Sequence, residues 1–164
     1  MTAVVRNLKR LGCLVAAFGI LTSCSSVSKG PGGEVTKVKI FQADTERRYQ
    51  PTTDRAIRFE QERIMYGAIS RAERERRNGV YYTVFWKAND MTRPVTLRFE
   101  YRKQRTGLKV HTKEEQITDV KKKNVTHLEV IGTEFKDDGA PTAWRVTLLQ
   151  GKEEVAHADS FLWK

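Results

Sequence analysis

The stretch that decides the fold class is VYYTVFW, residues 80–86. Successive side chains of a β-strand point to opposite faces, so the even-numbered residues share one face and the odd-numbered residues the other. Val80, Tyr82, Val84 and Trp86 form one set, and the other set is also aromatic apart from Thr83. Because both faces carry large apolar side chains, the pattern predicts a central, well-buried strand.

The next strand is VTLRFEYR, residues 95–102. Its apolar residues alternate with Thr96, Arg98, Glu100 and Arg102, which is typical of a strand with one face on the core and one in water. The intervening KANDMTRP, residues 87–94, has the Asn-Asp pair and the proline of a turn.

Short strands separated by charged turns continue to the end of the chain. We predict them at 37–41, 109–116, 125–135, 143–150 and 155–163, with turns at 136–141 and 151–154. Six or seven short strands without helical crossovers favour an antiparallel sandwich or barrel. The pattern resembles the immunoglobulin-like and fibronectin-III-like sandwiches of bacterial envelope lipoproteins, although it has no Cys–Trp–Cys arrangement. Trp86 and Trp144 are expected in the core.

Residues 55–78 fit two periodicities. Ile57, Ile64, Ala68 and Ala72 fall near helical spacing, whereas Ile57, Phe59, Ile64 and Tyr66 also fit a strand with one irregularity. We favour a strand over 57–69 followed by a short helical turn over 71–77. One long helix is the alternative.

The N-terminus has the organisation of a secretory signal. Arg6, Lys9 and Arg10 precede the uncharged run 11–21, which is too short to span a bilayer as a helix, since that takes about 20 residues. The run ends in LTSC, residues 21–24, and no A-x-A-like cleavage site is present. LTSC resembles the lipobox of bacterial lipoproteins.

That resemblance implies lipidation of Cys24 and removal of residues 1–23 as a signal peptide. The residue after the cysteine is Ser25 and not the Asp that retains many lipoproteins at the inner membrane, so the resemblance implies the outer membrane. Residues 24–36, rich in Ser, Gly and Pro, are predicted to be a flexible tether, and residues 37–164 the sandwich domain. Twelve flexible residues would span about 20 Å.

Composition excludes several kinds of chemistry from such a mature chain. Its net charge falls from +10 to +7, because the signal carries three basic residues and no acidic one, and Cys24 is its only cysteine. An intrachain disulfide, a free nucleophilic thiol and a cysteine-based zinc site are therefore excluded. We interpret the positive charge as a solvated surface and expect no nucleic acid partner. Attraction to anionic envelope components is the alternative.

Catalytic motifs are not recognisable in the sequence. His111, His127 and His157 lie on separate predicted strands, without the spacing of a metal site. Asp159 and Ser160 follow His157 on one strand, but a catalytic triad needs groups gathered from different parts of a fold. The pairs Glu114-Glu115 and 137–138 are interpreted as solvated turn or edge residues. We therefore assign no catalytic residue, no metal and no cofactor.

Exposed aromatic residues are the remaining candidates for binding. Tyr81, Phe85 and Trp163 would form a binding patch if their strand faces meet solvent, whereas core packing is the alternative for each of them. The sequence thus favours a non-catalytic binding or structural module of the cell envelope, anchored to the membrane through Cys24. Its partner would be an envelope protein or a glycan. An accessory subunit of an envelope assembly is the alternative, and an enzyme with an unrecognised site is less favoured.

Overall fold

Two antiparallel four-stranded sheets form a β-sandwich in the computed structural model, which describes residues 28–44 and 54–164. Sheet A has the strand order β1–β2–β3–β6, and sheet B has the order β5–β4–β7–β8. The strands, in chain order, are β1 Ser28–Lys29, β2 Gly33–Ala43, β3 Gly79–Ala88, β4 Val95–Lys103, β5 Val110–Ile117, β6 Asn124–Ile131, β7 Pro141–Gln150 and β8 Glu153–Asp159. This confirms the all-β sandwich prediction.

The core lies between the sheets and is built from alternating residues of β3 and β4. β3 is central as predicted, but its odd-numbered face is half-buried and not fully buried. Tyr82 and Trp86 of β3 face Phe99 and Tyr101 of β4, and all four are at most 2% exposed. The rings of Tyr82 and Phe99 are 4.8 Å apart. Trp144 is buried as well, which confirms both predicted core tryptophans. The Trp86 indole N–H donates to the Thr126 hydroxyl at 3.1 Å, so this buried polar atom is satisfied.

The two sheets meet along both edges of the sandwich. On one edge, the Gly32 N–H donates to the Val155 carbonyl at 3.1 Å, which joins the turn before β2 to β8. On the other, Lys113 of β5 donates through Nζ to the Glu129 carbonyl of β6 at 2.6 Å. The backbone therefore joins the sheets at the first edge, and a side chain bridges them at the second.

Helices occupy two of the connections. Helix α1, Arg55–Met65, and helix α2, Arg71–Arg76, lie between β2 and β3, and α3, Thr133–Asp138, lies between β6 and β7. The strand favoured over 57–69 is therefore wrong, and two short helices replace the single long one. In the described part of the chain, no helix is long and apolar enough to cross a membrane.

Local capping explains the helices. The Asp54 side chain accepts from the Ala56 N–H at 2.8 Å and begins α1. Ser70 and Glu73 form a capping box that begins α2. Such caps stabilise a helix by about 1 kcal/mol. Only Ile64 of α1 is buried. The alternating apolar residues that favoured a strand over 57–69 therefore do not form a buried face.

Three further boundaries differ from the prediction. The strand predicted over 155–163 ends at Asp159, and a 3₁₀ turn, Phe161–Trp163, follows it. Residues 28–29 and 33–36 are strand and not flexible tether, because β1 pairs with β2 and Gly33 pairs with Ala88. The predicted strand over 125–135 ends at Ile131, since Gly132 has a φ of 63° that breaks it, and α3 follows in place of part of the predicted turn. The lipobox and the signal, within 1–24, lie outside the described residues.

Candidate functional site

A cleft of about 310 Å³ lies between the helices and the outer face of sheet A. Its floor is formed by β3 and β6, whose paired residues Thr83 and His127 lie side by side in the register. Its wall comes from α1 and the end of α2, which contribute Arg63 and Arg77. The volume is at the lower end of the range for small-ligand sites.

Arg77 holds the wall of the cleft in place. Its guanidinium Nη1 donates to the Ile64 carbonyl at 2.9 Å and also to the Tyr66 carbonyl, so it caps the end of α1. The Arg77 carbonyl accepts from the Tyr81 hydroxyl at 2.7 Å. One arginine thus ties α1, α2 and β3 together beside the cleft.

The polar groups of the cleft are mainly hydrogen-bond donors. Burial, the largest effect, raises the pKa of Tyr81 to about 12; Glu129 also raises this pKa, whereas Arg77 and Arg63 lower it, and Tyr81 stays protonated. Arg63 is half exposed and binds Glu60 through Nε at 3.0 Å and Nη2 at 2.9 Å.

On the floor, His127 Nδ1 lies 3.3 Å from the Thr83 hydroxyl. The cleft is lined by two guanidinium groups and one carboxylate, that of Glu129. The lining residues sum to one positive charge, and Arg63 is also paired with Glu60, so the cleft offers mainly hydrogen-bond donors to an anionic or hydroxyl-rich ligand.

The structure divides the three residues of the predicted binding patch between two faces. Tyr81 lines the cleft, and Phe85 lies on the same outer face of β3, half-buried, with the Lys39 ammonium 5.5 Å from its ring centre. Trp163 lies in a one-turn 3₁₀ helix, Phe161–Trp163, and is 8% exposed.

The Trp163 ring packs against two arginines of sheet B. The guanidinium carbon of Arg102 is 4.7 Å, and that of Arg145 is 5.4 Å, from its centre. Both arginine Nε atoms are buried without a hydrogen-bond partner, which fits their position against an aromatic ring. Trp163 therefore fastens the end of the chain to sheet B, and it is not brought together with Tyr81 and Phe85.

A second polar cluster, which sequence reasoning missed, lies where α3 meets sheet B. The Lys103 ammonium, with its side chain 2% exposed, contacts Asp138 at 2.9 Å and Glu134 at 3.1 Å. Glu134 also accepts from Lys113 Nζ at 2.9 Å and from the Tyr101 hydroxyl. We call these five residues the α3 network.

The pKa directions in the α3 network do not suit acid–base catalysis. Burial works against the charge of Lys103, but its hydrogen bonds to Asp138 and Glu134 outweigh burial and raise its pKa. Burial would raise the pKa of Glu134 too, yet hydrogen bonds from Tyr101 and the lysines lower it to about 2. Burial, followed by the bond to Glu134, raises the pKa of Tyr101. A general acid or base works best with a pKa near the operating pH, and each of these groups is moved away from neutrality.

The three histidines lie on three different strands, β5, β6 and β8. His157 binds Glu154 at 2.6 Å, and the neighbouring Asp159 binds Arg145 at 3.3 Å. The Ser160 hydroxyl oxygen accepts from the Trp144 N–H at 2.9 Å. Each group of the 157–160 segment thus has a structural partner and the three do not form a triad. Over residues 28–44 and 54–164, no group of three or more His, Cys, Asp or Glu residues could hold a metal ion.

Comparison with known proteins adds no assignment to this geometry. A scan against models of protein families, a search of curated proteins and a search of solved structures each found no match to the chain. The fold itself defines the class of this protein, which is an antiparallel β-sandwich with a cleft between two helices and the outer face of sheet A.

Proposed function

We propose that this protein is a membrane-anchored lipoprotein of the bacterial cell envelope, lipidated at Cys24, that acts as a non-catalytic binding module. Its ligand site is the cleft under α1 and α2, and its ligand is an anionic envelope component, a glycan or a protein segment. The observation that carries the proposal is the lining of the cleft by Arg63, Arg77, Tyr81 and His127.

The sequence supports the anchor. The basic start, the uncharged run and LTSC at 21–24 together resemble a lipoprotein signal. Two or more acyl chains on one cysteine would hold a protein stably at a bilayer. Ser25 after the cysteine favours the outer membrane.

The strand order supports an immunoglobulin-like type of sandwich. In sheet A, the order β2–β3–β6 matches immunoglobulin strands A, B and E. In sheet B, the order β5–β4–β7–β8 matches strands C′, C, F and G. β1 would then be an added strand at the edge. Domains of this type serve widely as binding modules, an argument from fold analogy.

The polar groups support a non-catalytic function. In the α3 network, positive and negative groups neutralise one another and hold α3 against sheet B. In the cleft, Tyr81 is a protonated donor at neutral pH. The pKa directions of these groups therefore suit positioning and binding better than proton exchange.

Two experiments test the proposal. Cells that express the protein are fed labelled palmitate, and we expect label on the wild-type chain and none on a Cys24→Ala variant. Label on the variant would disprove the anchor.

For the cleft, a photo-crosslinking amino acid replaces Thr83 or, as a control on the outer face of sheet B, Gln116. We expect a crosslinked envelope component at position 83, lost on Arg63→Gln substitution, and none at position 116. Equal crosslinking at both positions, or none at either, would contradict the cleft as the binding site. The nature of the adduct separates a glycan from a protein.

A further inference from the structure

The structure places the start of the folded domain much closer to Cys24 than a flexible tether would. β1 begins at Ser28, so only residues 25–27 separate it from Cys24. The four Cα-to-Cα steps from Cys24 to Ser28 span at most about 14 Å even when fully extended. A domain of about 130 residues has a radius of gyration of about 14 Å, so its diameter exceeds this reach.

A short connection restricts which side of the domain can meet the membrane. Ser28 pairs with Val35, so the attachment point is the edge of sheet A formed by β1 and β2. A lipid on Cys24 would hold that edge within about 14 Å of the headgroups. The opposite edge, where α3 lies, would be directed away from the bilayer.

Three lysines lie at or beside the attachment edge. Lys29 of β1 and Lys37 and Lys39 of β2 are all exposed. No carboxylate of residues 28–44 and 54–164 forms a salt bridge with any of the three. The acidic side chains on this side are engaged, since Glu34 pairs with Lys87 at 3.5 Å and Glu154 with His157 at 2.6 Å.

The same edge has an exposed apolar side chain and a stretch of β2 with one strand partner among the described residues. Within 28–44 and 54–164, residues 37–43 of β2 pair with β3 alone, since β1 lies against β2 at Glu34 and Val35. Ile40 in this segment is 51% exposed. Ile40 alternates with Lys37 and Lys39 along β2, so its side chain lies on the opposite face of the strand from theirs. An apolar residue at the edge together with lysines on the adjoining outer face suits the boundary between headgroups and acyl chains.

We infer that the β1–β2 edge is a membrane-docking surface, which binds anionic phospholipid headgroups through Lys29, Lys37 and Lys39. This inference rests on the proposed lipid anchor at Cys24. Anchor and lysines would act as two signals, the first holding the protein at the bilayer and the second fixing its orientation.

The test uses the mature lipoprotein, purified in detergent and reconstituted into vesicles of phosphatidylcholine with phosphatidylglycerol. An environment-sensitive thiol dye is attached to Lys37→Cys or, as a matched control on α3, to Lys136→Cys. The lipids carry a nitroxide quencher on the headgroup. We expect strong quenching at position 37 and little at position 136, and equal quenching at the two positions would overturn the inference.

The lysines are tested in the same assay. Each lysine near an anionic surface changes affinity about fivefold at low salt. Lys29→Gln and Lys39→Gln are therefore introduced together into the labelled Lys37→Cys protein. We expect the ratio of docked to undocked protein to fall about thirtyfold. Pure phosphatidylcholine vesicles or high salt should have the same effect. Unchanged quenching under all three conditions would overturn the role of the lysines, and circular dichroism verifies that the variants fold.

Failure of the anchor is distinguishable from failure of the docking surface. If Cys24 of the parent protein reacts with the thiol dye and carries no palmitate, the proposed anchor is wrong. If Cys24 is acylated and position 37 is no more quenched than position 136, the anchor stands and the docking surface is wrong.

Discussion

The charge on Glu134 should stabilise the sandwich in a pH-dependent way. This carboxylate lies on α3 and binds Lys103, Lys113 and the Tyr101 hydroxyl. Its side chain is 29% exposed, so solvent screens these contacts only in part. Replacing it by Gln keeps the shape and one acceptor oxygen but removes the charge shared by two lysines.

The magnitude follows from the pKa of Glu134. Burial would raise this pKa, but the hydrogen bonds outweigh burial and lower it from 4.5 to about 2. That difference corresponds to about 3 kcal/mol at 1.36 kcal/mol per pH unit, and to about 2 kcal/mol after allowance for partial exposure. Because the folded-state pKa is depressed, the contribution is fully present above 4.5 and is lost as the pH falls towards 2.

Urea unfolding of wild-type protein and Glu134→Gln measures this contribution. We expect the variant to be less stable by about 2 kcal/mol near pH 7, and the difference to shrink to below about 0.5 kcal/mol near pH 2. Glu115→Gln, at an exposed position of β5, is the control and should change stability by less than about 0.5 kcal/mol. A difference for Glu134→Gln that is the same at both pH values would refute the electrostatic argument and indicate a packing effect.

Three further substitutions test the fold. Trp163→Ala should destabilise the domain in urea by about 3 kcal/mol, because it removes a buried ring with two cation–π contacts, whereas Phe161→Ala, at an 87% exposed ring, should have almost no effect. Gly79→Ala should lower the melting temperature much more than Gly107→Ala. A Cβ at position 79 would lie 2.2 Å from a backbone oxygen, whereas a Cβ at position 107 meets open space. Equal shifts would contradict the close approach of β3 and β6. Ser70→Ala removes half of a capping box and should cost α2 about 1 kcal/mol, seen as faster amide hydrogen exchange over 71–76, and unchanged exchange would show that the cap is dispensable.

The core of the sandwich was predictable because its signal is local. Alternation over 95–102 identifies the inward face of β4, and Phe99 lies where it predicts. Over 80–86 both faces are apolar, so the sequence predicts a central strand, and only the structure shows that Tyr82 is on the inward face. A slip of one residue would move every apolar side chain to the wrong face, so burial of one face specifies the register strongly.

The helices between β2 and β3 were mispredicted although the sequence carries a signal for them. Asp54 and the Ser70-x-x-Glu73 pattern are helix starts, and both caps form. Giving these caps more weight than the apolar spacing from Ile57 onwards would have favoured helix. The spacing alone was ambiguous, because only Ile64 of α1 is buried.

The strand at 33–36 could not have been found from composition. Gly, Ser and Pro predict a flexible segment when only neighbours along the chain are considered. Gly33 is nevertheless buried, and a Cβ there would lie 2.6 Å from the Lys87 carbonyl oxygen. Glycine is required here for a close approach between strands, and that approach depends on residues more than fifty positions away.

The sequence by itself determined the class of the fold and the position of the one specific modification signal, Cys24, which remains a prediction. Both are encoded by short runs of residues whose pattern has a direct physical meaning. The cleft and the proposed docking edge depend on the tertiary structure. Pairing of β3 with β6 brings Thr83 beside His127, and pairing of β1 with β2 makes Ser28 and Lys29 part of the sandwich. Strand pairing joins residues distant in sequence, and no local pattern records which strands will become neighbours.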